Sequence, residues 1–436
     1  MPVMTMMPMR SQASRSMVCL MMLVAALPRA PRAWGEGEWE ITPQSEAAAE
    51  KGLRWLARNQ TEQGNWESDD LGLVSLGALA FLSAGHLPDR GPYGVHVRRA
   101  LDYIVSRAKP SGLLNESDRR KDMYNHGLSM FVLTQAYGMT DDRRLARVMD
   151  RGLKLIFDVQ CGDGGWDYVA ERQPRGHDLS LAVMQAKAIR AAMDMGLEIP
   201  PQSAESAIRY VRSTYRPNGP PDGKRYGDHP QADRPGAFTY SGDRTTTAMA
   251  AAGAVCLQEF GLYEDFRILR SMDHVINDIN KDMPDKKGEV PFDAYTLYYV
   301  AQGLYQVGGT RWRENYPKIR DACVRTQRSS ADPAEDGSWD GGRVGGRPGR
   351  MFGTSVGVFV LTIPNRYLPI LQQGKADPKD VEGKRSEAKP GRVSTPVSSL
   401  ASSTRAPAVG VLAVGPSGAG SSGVAPLGAL VEAQPR

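Results

Sequence analysis

KGLRWLARNQ, at 51–60, is one of six related decapeptides spread along the chain. The others are RALDYIVSRA (99–108), RGLKLIFDVQ (151–160), SAIRYVRSTY (206–215), RSMDHVINDI (270–279) and KIRDACVRTQ (318–327). Their starts lie 48, 52, 55, 64 and 48 residues apart, the self-similarity of a repeat architecture. The sixth position is apolar throughout: Leu56, Ile104, Ile156, Val211, Val275 and Cys323. Apolar residues three and four apart with charges between them make one face of a helix apolar. The last copy fits worst, because Arg320 stands where the pattern asks for Leu.

Working outward, each decapeptide leads to a glycine with a large apolar residue two places on. These are Gly64/Trp66, Gly112/Leu114, Gly164/Trp166, Gly236/Phe238, Gly288/Val290 and Gly337/Trp339. Glycine permits the chain reversal, and the large side chain can cap the core beneath. A second helical segment follows each turn. Those at 71–84, 127–138, 245–258, 294–309 and 353–363 contain no charged residue, and 179–193 has only Lys187 and Arg190. A helix apolar nearly all round must be covered on several sides. Six amphipathic helices alternating with six such helices predict an all-α fold, an α/α toroid with an inner ring of six inside an outer ring of six. An open solenoid is the rival, but it leaves the apolar helices half bare.

The remaining composition bounds the function. The 436 residues carry a net charge of +5, too weak for a dedicated nucleic-acid binder. Four cysteines exclude a disulfide framework, and six histidines, none within nine residues of another, exclude a local metal motif. Arg10 and Arg15 precede an apolar run, Met17 to Leu27, with Ala26 and Ala33 as small residues at cleavage points. That order reads as a signal peptide over 1–33, hence export, and eleven residues are too few to span a bilayer. Residues 374–436 hold no aromatic residue and are rich in Gly, Ser, Pro and Ala, so a disordered tail is expected after a folded unit at 34–373.

Lys51, Gly52, Trp55, Leu56, Gln60, Gly64 and Trp66 together resemble the QW repeat of squalene–hopene and oxidosqualene cyclases. Arg151, Gly152, Ile156, Gln160, Gly164 and Trp166 form a second copy, and Gln327, Gly337 and Trp339 keep the end of a third. The chain resembles bacterial prenyltransferase/squalene oxidase repeat proteins over roughly 45–370. The resemblance implies the toroid, and implies fold more than activity.

In a toroid the pocket opens at one end of the inner ring. The polar residues expected there are Asp69, Asp70, Asn125, His126, His177, Asp178, Asp243, Asp293 and Thr354, each of which can also be an ordinary helix cap. In the cyclases, an inner-helix Asp-x-Asp-Asp-Thr motif supplies a protonated middle acid. The resemblance places Asp178 in that catalytic role, although Gly176 and Leu179 replace its acidic neighbours. Tyr124, Phe131, Tyr295, Tyr298, Tyr299 and Phe359 would line the cavity with His126, His177, Asp243 and Asp293. Asp321 and Cys323 have prenyltransferase-like zinc spacing, but no His follows His274, so neither a metal nor a cofactor is expected. Gln160-Cys161-Gly162-Asp163-Gly164 lacks the Gln of a thioester motif. The polar loop 216–242 is expected to cover the pocket mouth, and Arg172 and Arg175 to give a basic rim. Three functions follow: an exported toroid binding a ligand or partner in its central cavity, a terpenoid-cyclase-like isomerase taking a small apolar or polyprenyl substrate, or a carbohydrate-active lyase or hydrolase.

Overall fold

The computed structural model describes residues 39–372 apart from 141, 286–291, 342, 345 and 346. The leader and tail expected from the sequence lie outside the described residues, as does the Gly288/Val290 turn. Among the described residues, twelve long helices alternate in character. The outer ones are α1 (Pro43–Asn59), α3 (Gly94–Ser106), α5 (Arg143–Asp158), α7 (Pro201–Ser213), α9 (Phe266–Asp285) and α11 (Gly309–Thr326). The inner ones are α2 (Leu71–Ser83), α4 (Asp122–Thr140), α6 (Leu179–Asp194), α8 (Thr247–Glu259), α10 (Ala294–Val307) and α12 (Gly349–Thr362). A last short helix, α13 (Pro369–Gln372), packs on α4 and α6.

The inner helices contact one another in the order α2, α4, α6, α8, α10, α12 and back to α2. That closure makes the fold an α/α toroid. Each inner helix packs on the outer helix that follows it, and α12 packs on α1, so the first outer helix completes the last pair. Glu40 ties the two ends together: it accepts from Trp312 Nε1 at 2.5 Å and pairs with Arg366 at 2.9 Å. The sixth-position residues Leu56, Ile104, Ile156, Val211, Val275 and Cys323 are at most 1% exposed. Arg320, the misfit, is nearly buried because its guanidinium donates to the Trp39 carbonyl and to Asp321.

The Gln and Trp of the repeat have a common geometry. Gln60 donates to the Gly64 carbonyl (3.1 Å) and to His96 O on the next outer helix (2.9 Å). Gln160 does the same with Gly164 O and Ser203 O, and Gln327 with Gly337 O and Ala48 O. Each Gln thus staples one outer helix to the next. Trp66, Trp166 and Trp339 each donate from Nε1 to the last turns of the preceding outer helix, at Leu56 O, Ile156 O and Cys323 O. Gly64, Gly112, Gly164 and Gly337 have φ between 90° and 98°, which L side chains rarely adopt. The fourth copy departs from this pattern. Gly236–Phe238 is a strand, paired antiparallel with Tyr215–Pro217. The inserted loop needs this short ladder to bring Phe238 back over α8, where its ring packs on Gly253.

Candidate functional site

Inner-helix N-termini converge at one end of the ring, and most are closed by their own caps. Asp70 accepts from Leu73 N (3.2 Å), Asp178 from Ser180 N (2.8 Å), Thr246 from Met249 N (3.2 Å) and Asp293 from Thr296 N (2.8 Å). Each meets an otherwise unpaired N–H and suits the positive end of the helix dipole. Helix α4 starts at Asp122, five residues before the predicted 127, so Asn125 and His126 lie inside it.

Asp178 is 1% exposed and surrounded by donors. Oδ1 accepts from the N–H and hydroxyl of Ser180, and Oδ2 from Tyr168 Oη (2.7 Å) and His177 Nδ1 (3.0 Å). Burial alone would raise its pKa, yet the donors outweigh it and hold the carboxyl below its usual range. The same hydrogen bond to Asp178 raises the His177 imidazole, against the effect of burial. Because the His177 pKa is raised in the fold, its contribution to stability is present below the unfolded value near 6.5 and fades as pH rises through the folded value. We expect the melting-temperature difference between wild type and His177→Ala to be larger at pH 5.5 than at pH 8.5. A constant difference would mean the imidazole stays neutral.

Four tyrosines surround this carboxylate. Tyr168 Oη lies 2.9 Å from Tyr240 Oη, and Tyr124 stacks on Tyr168 with centroids 6.0 Å apart. Tyr124, from α4, meets Tyr295, from α10, hydroxyl to hydroxyl at 3.0 Å. Helices α4 and α10 are on opposite sides of the ring, so this bond spans its diameter. Burial pushes the Tyr124 and Tyr295 phenols well above their ordinary pKa and Tyr240 up to about 12. All four still keep accessible surface. The four are half-buried, and the hydroxyl-bearing surface they share, crossed by the Tyr124–Tyr295 contact, is the tyrosine recess.

The centre of the ring is filled. Phe131, Tyr298, Tyr299 and Phe359, expected to line a cavity, are at most 3% exposed and pack together in the core. Among them Lys187 reaches Glu259 (3.1 Å) and the Gln302 side-chain carbonyl, with its ammonium 5.2 Å from the Phe131 ring centroid. Large aromatics fill the space that smaller residues would leave hollow.

The other expected lining residues are placed elsewhere. His126 sits between α4 and α5, accepting from Leu114 N at Nδ1 (3.2 Å) and donating from Nε2 to Gly152 O (3.0 Å). Burial lowers its pKa to about 4, so it is a neutral core histidine. Asp243 is exposed and paired with Arg216, Asp293 is an exposed cap, and Thr354 accepts from Trp339 N within the core. His177 lies at the rim, edge-on to Tyr168 with centroids 4.7 Å apart. Sequence reasoning missed Tyr168 and Tyr240. Each stands two residues beyond the large residue of its repeat turn, Trp166 and Phe238, and alignment of the repeats on that residue would have paired them. Among the described residues no cluster of His, Cys, Asp and Glu could hold a metal, and Cys161, Cys256 and Cys323 are buried free thiols.

A cleft of about 640 Å³ lies at the opposite end between the α2–α3 loop and α5. Two of its three arginines are paired with its two aspartates: Arg98 donates to Asp89 and to Asp142, and Arg144 pairs with Asp142.

No family profile matches the chain, and no curated protein is significantly similar to it. Solved structures do resemble it. An α-1,6-mannanase of Salegentibacter is 14% identical, with a TM-score of 0.49 over 74% of this chain and 98% of that one. A type II terpene cyclase from Scytonema is 13% identical, with a TM-score of 0.45 over 74% and 98%. A protein from Actinoplanes is 16% identical, with a TM-score of 0.47 over 76% and 100%. At such identities the resemblance concerns chain path alone, and the toroid rests on its own contacts.

Proposed function

We propose that this chain is an exported toroid that binds a polyhydroxylated ligand, of the carbohydrate class, in the tyrosine recess. The observation that carries the reading is the wall made by Tyr124, Tyr168, Tyr240 and Tyr295. Phenols that keep their protons offer hydroxyls able both to donate and to accept, beside flat apolar faces. A sugar needs both, hydroxyl partners at its edge and apolar contact on its C–H face. A polyprenyl chain would cover this polar surface and offer nothing to the hydrogen-bonding capacity the hydroxyls have left beyond one another, which costs free energy. A cyclase acid must be protonated to donate, whereas Asp178 is held as an acceptor by four donors. Export rests on the leader-like order of residues 1–33.

Full-length protein should be screened on an array of neutral oligosaccharides, with calorimetry on the hits and mass spectrometry of the same mixtures for cleavage. We expect one class to bind, and Tyr168→Phe with Tyr240→Phe to weaken it about tenfold, the worth of one or two hydrogen bonds. The melting temperature should move by only a few degrees. Co-purification of a polyprenyl lipid, or unchanged affinity in the double variant, would refute the assignment. Sugar cleavage would convert the binding protein into a hydrolase or lyase.

A further inference from the structure

A second cleft, about 220 Å³, lies between the 216–245 loop and α9. The loop, expected to cover the pocket mouth, is strapped to α9 here. Arg270, 2% exposed on α9, donates to both carboxylate oxygens of Asp222 (2.9 and 2.8 Å), to Ala232 O and to Lys224 O. One turn on, Asp273 accepts from Tyr226 Oη (2.6 Å), Lys224 Nζ (3.3 Å) and Arg311 Nη2 (3.0 Å). The Tyr226 ring lies 4.9 Å from the Arg270 guanidinium and 5.4 Å from that of Arg311. Among the residues that line the cleft, Lys224 and Arg270 thus balance Asp222 and Asp273, and the cleft favours neither anion nor cation.

What the cleft offers instead is neutral hydrogen bonding. Asn218 and Asn277 line it with carboxamides that the strap does not use, and Thr245 adds a hydroxyl. The Tyr215 hydroxyl, on a side chain 5% exposed, has no hydrogen-bond partner and lies against Gly236 on the cleft wall. That hydroxyl is sealed behind Gly236, so the carboxamides and the Thr245 hydroxyl are what the cleft presents to a ligand. The volume falls short of the roughly 300 Å³ of a drug-sized pocket, so it suits a single ring.

The cleft is joined to the recess by one tight turn. Thr239 bridges Thr245, and Tyr240 N donates to Arg244 O at 2.9 Å. Tyr240 serves the recess from one arm of that turn, and Thr245 lines the cleft from the other. We infer that the cleft is a second subsite for a neutral oligosaccharide, which seats one unit in the tyrosine recess and passes over Ser241–Asp243 to seat another here. This rests on the carbohydrate reading of the recess.

The test is calorimetry of full-length protein with a length series, monosaccharide to hexasaccharide, of the class found on the array. Wild type should gain affinity with length. Asn218→Ala with Asn277→Ala, both at exposed positions, should remove about tenfold for long members and leave the shortest unchanged. Tyr168→Phe should weaken all lengths. If the asparagine variant matches wild type at every length, the subsite is refuted and the recess stands. If it weakens binding while Tyr168→Phe does not, the cleft stands as a separate site and the recess reading falls. If no oligosaccharide binds, both fall.

Discussion

Lys187→Met alone should destabilise the protein by about 3–5 kcal/mol, and Glu259→Leu alone by a similar amount. Carrying both changes should cost less than the sum of the two. The reason is the place of the pair. Lys187 and Glu259 are 0% and 2% exposed by side chain, in the middle of the inner ring. Removing one partner leaves the other charge buried without compensation. Removing both leaves only neutral amides to resettle: Gln302, which accepts from Lys187, and Gln306, which donates to Glu259 at 3.0 Å. Urea unfolding of wild type, both singles and the double closes the cycle. Strict additivity would show that the two charges do not meet, and singles within about 1 kcal/mol of wild type would place them in contact with water.

This pair also marks where the sequence stops being readable. The ring, its two layers and its closure follow from periodicity, because a helix without charge must be covered and six such helices can cover one another only by closing. Lys187 and Arg190 are the visible exceptions within those segments, and the pattern does not say where the Lys187 charge goes. Glu259 lies one residue past the predicted end of its helix and Gln302 is one uncharged polar residue among many. Only the crossing of three inner helices brings them together. The candidate site divides the same way. Asp178 is legible as a helix cap. The recess around it is built by Tyr168 and Tyr240, on loops where no period constrains the reading, and by Tyr124 and Tyr295, which meet across the ring from residues 171 positions apart. Aromatics read as cavity lining fill the centre because a pattern distinguishes inward from outward, but not packed from hollow.

Trp166→Ala should cost about 3–5 kcal/mol, more than the same change at Trp66. Both rings belong to the same repeat element and donate to the same place, the carbonyl ten residues back, at 2.9 and 2.8 Å. They differ in cover: Trp166 is 0% exposed and Trp66 9%. The loss at Trp166 combines cavity formation, an unpaired Ile156 carbonyl and a freed turn. The turn matters because Gly164 seats its backbone on the next outer helix, where an added Cβ would stand 2.2 Å from Ser206 O. Gly164→Ala therefore attacks the same joint by a different route, clash and an unfavourable φ of 96° in place of a void. If the joint is what the repeat exists to make, the tryptophan and glycine variants should each lower the chemical-denaturation midpoint, and their combination should fall short of additivity because each already loosens what the other holds. Full additivity would mean the ring is anchored by its own packing alone, and the Gln–Trp element would then be a cap on each outer helix instead of a staple between neighbours.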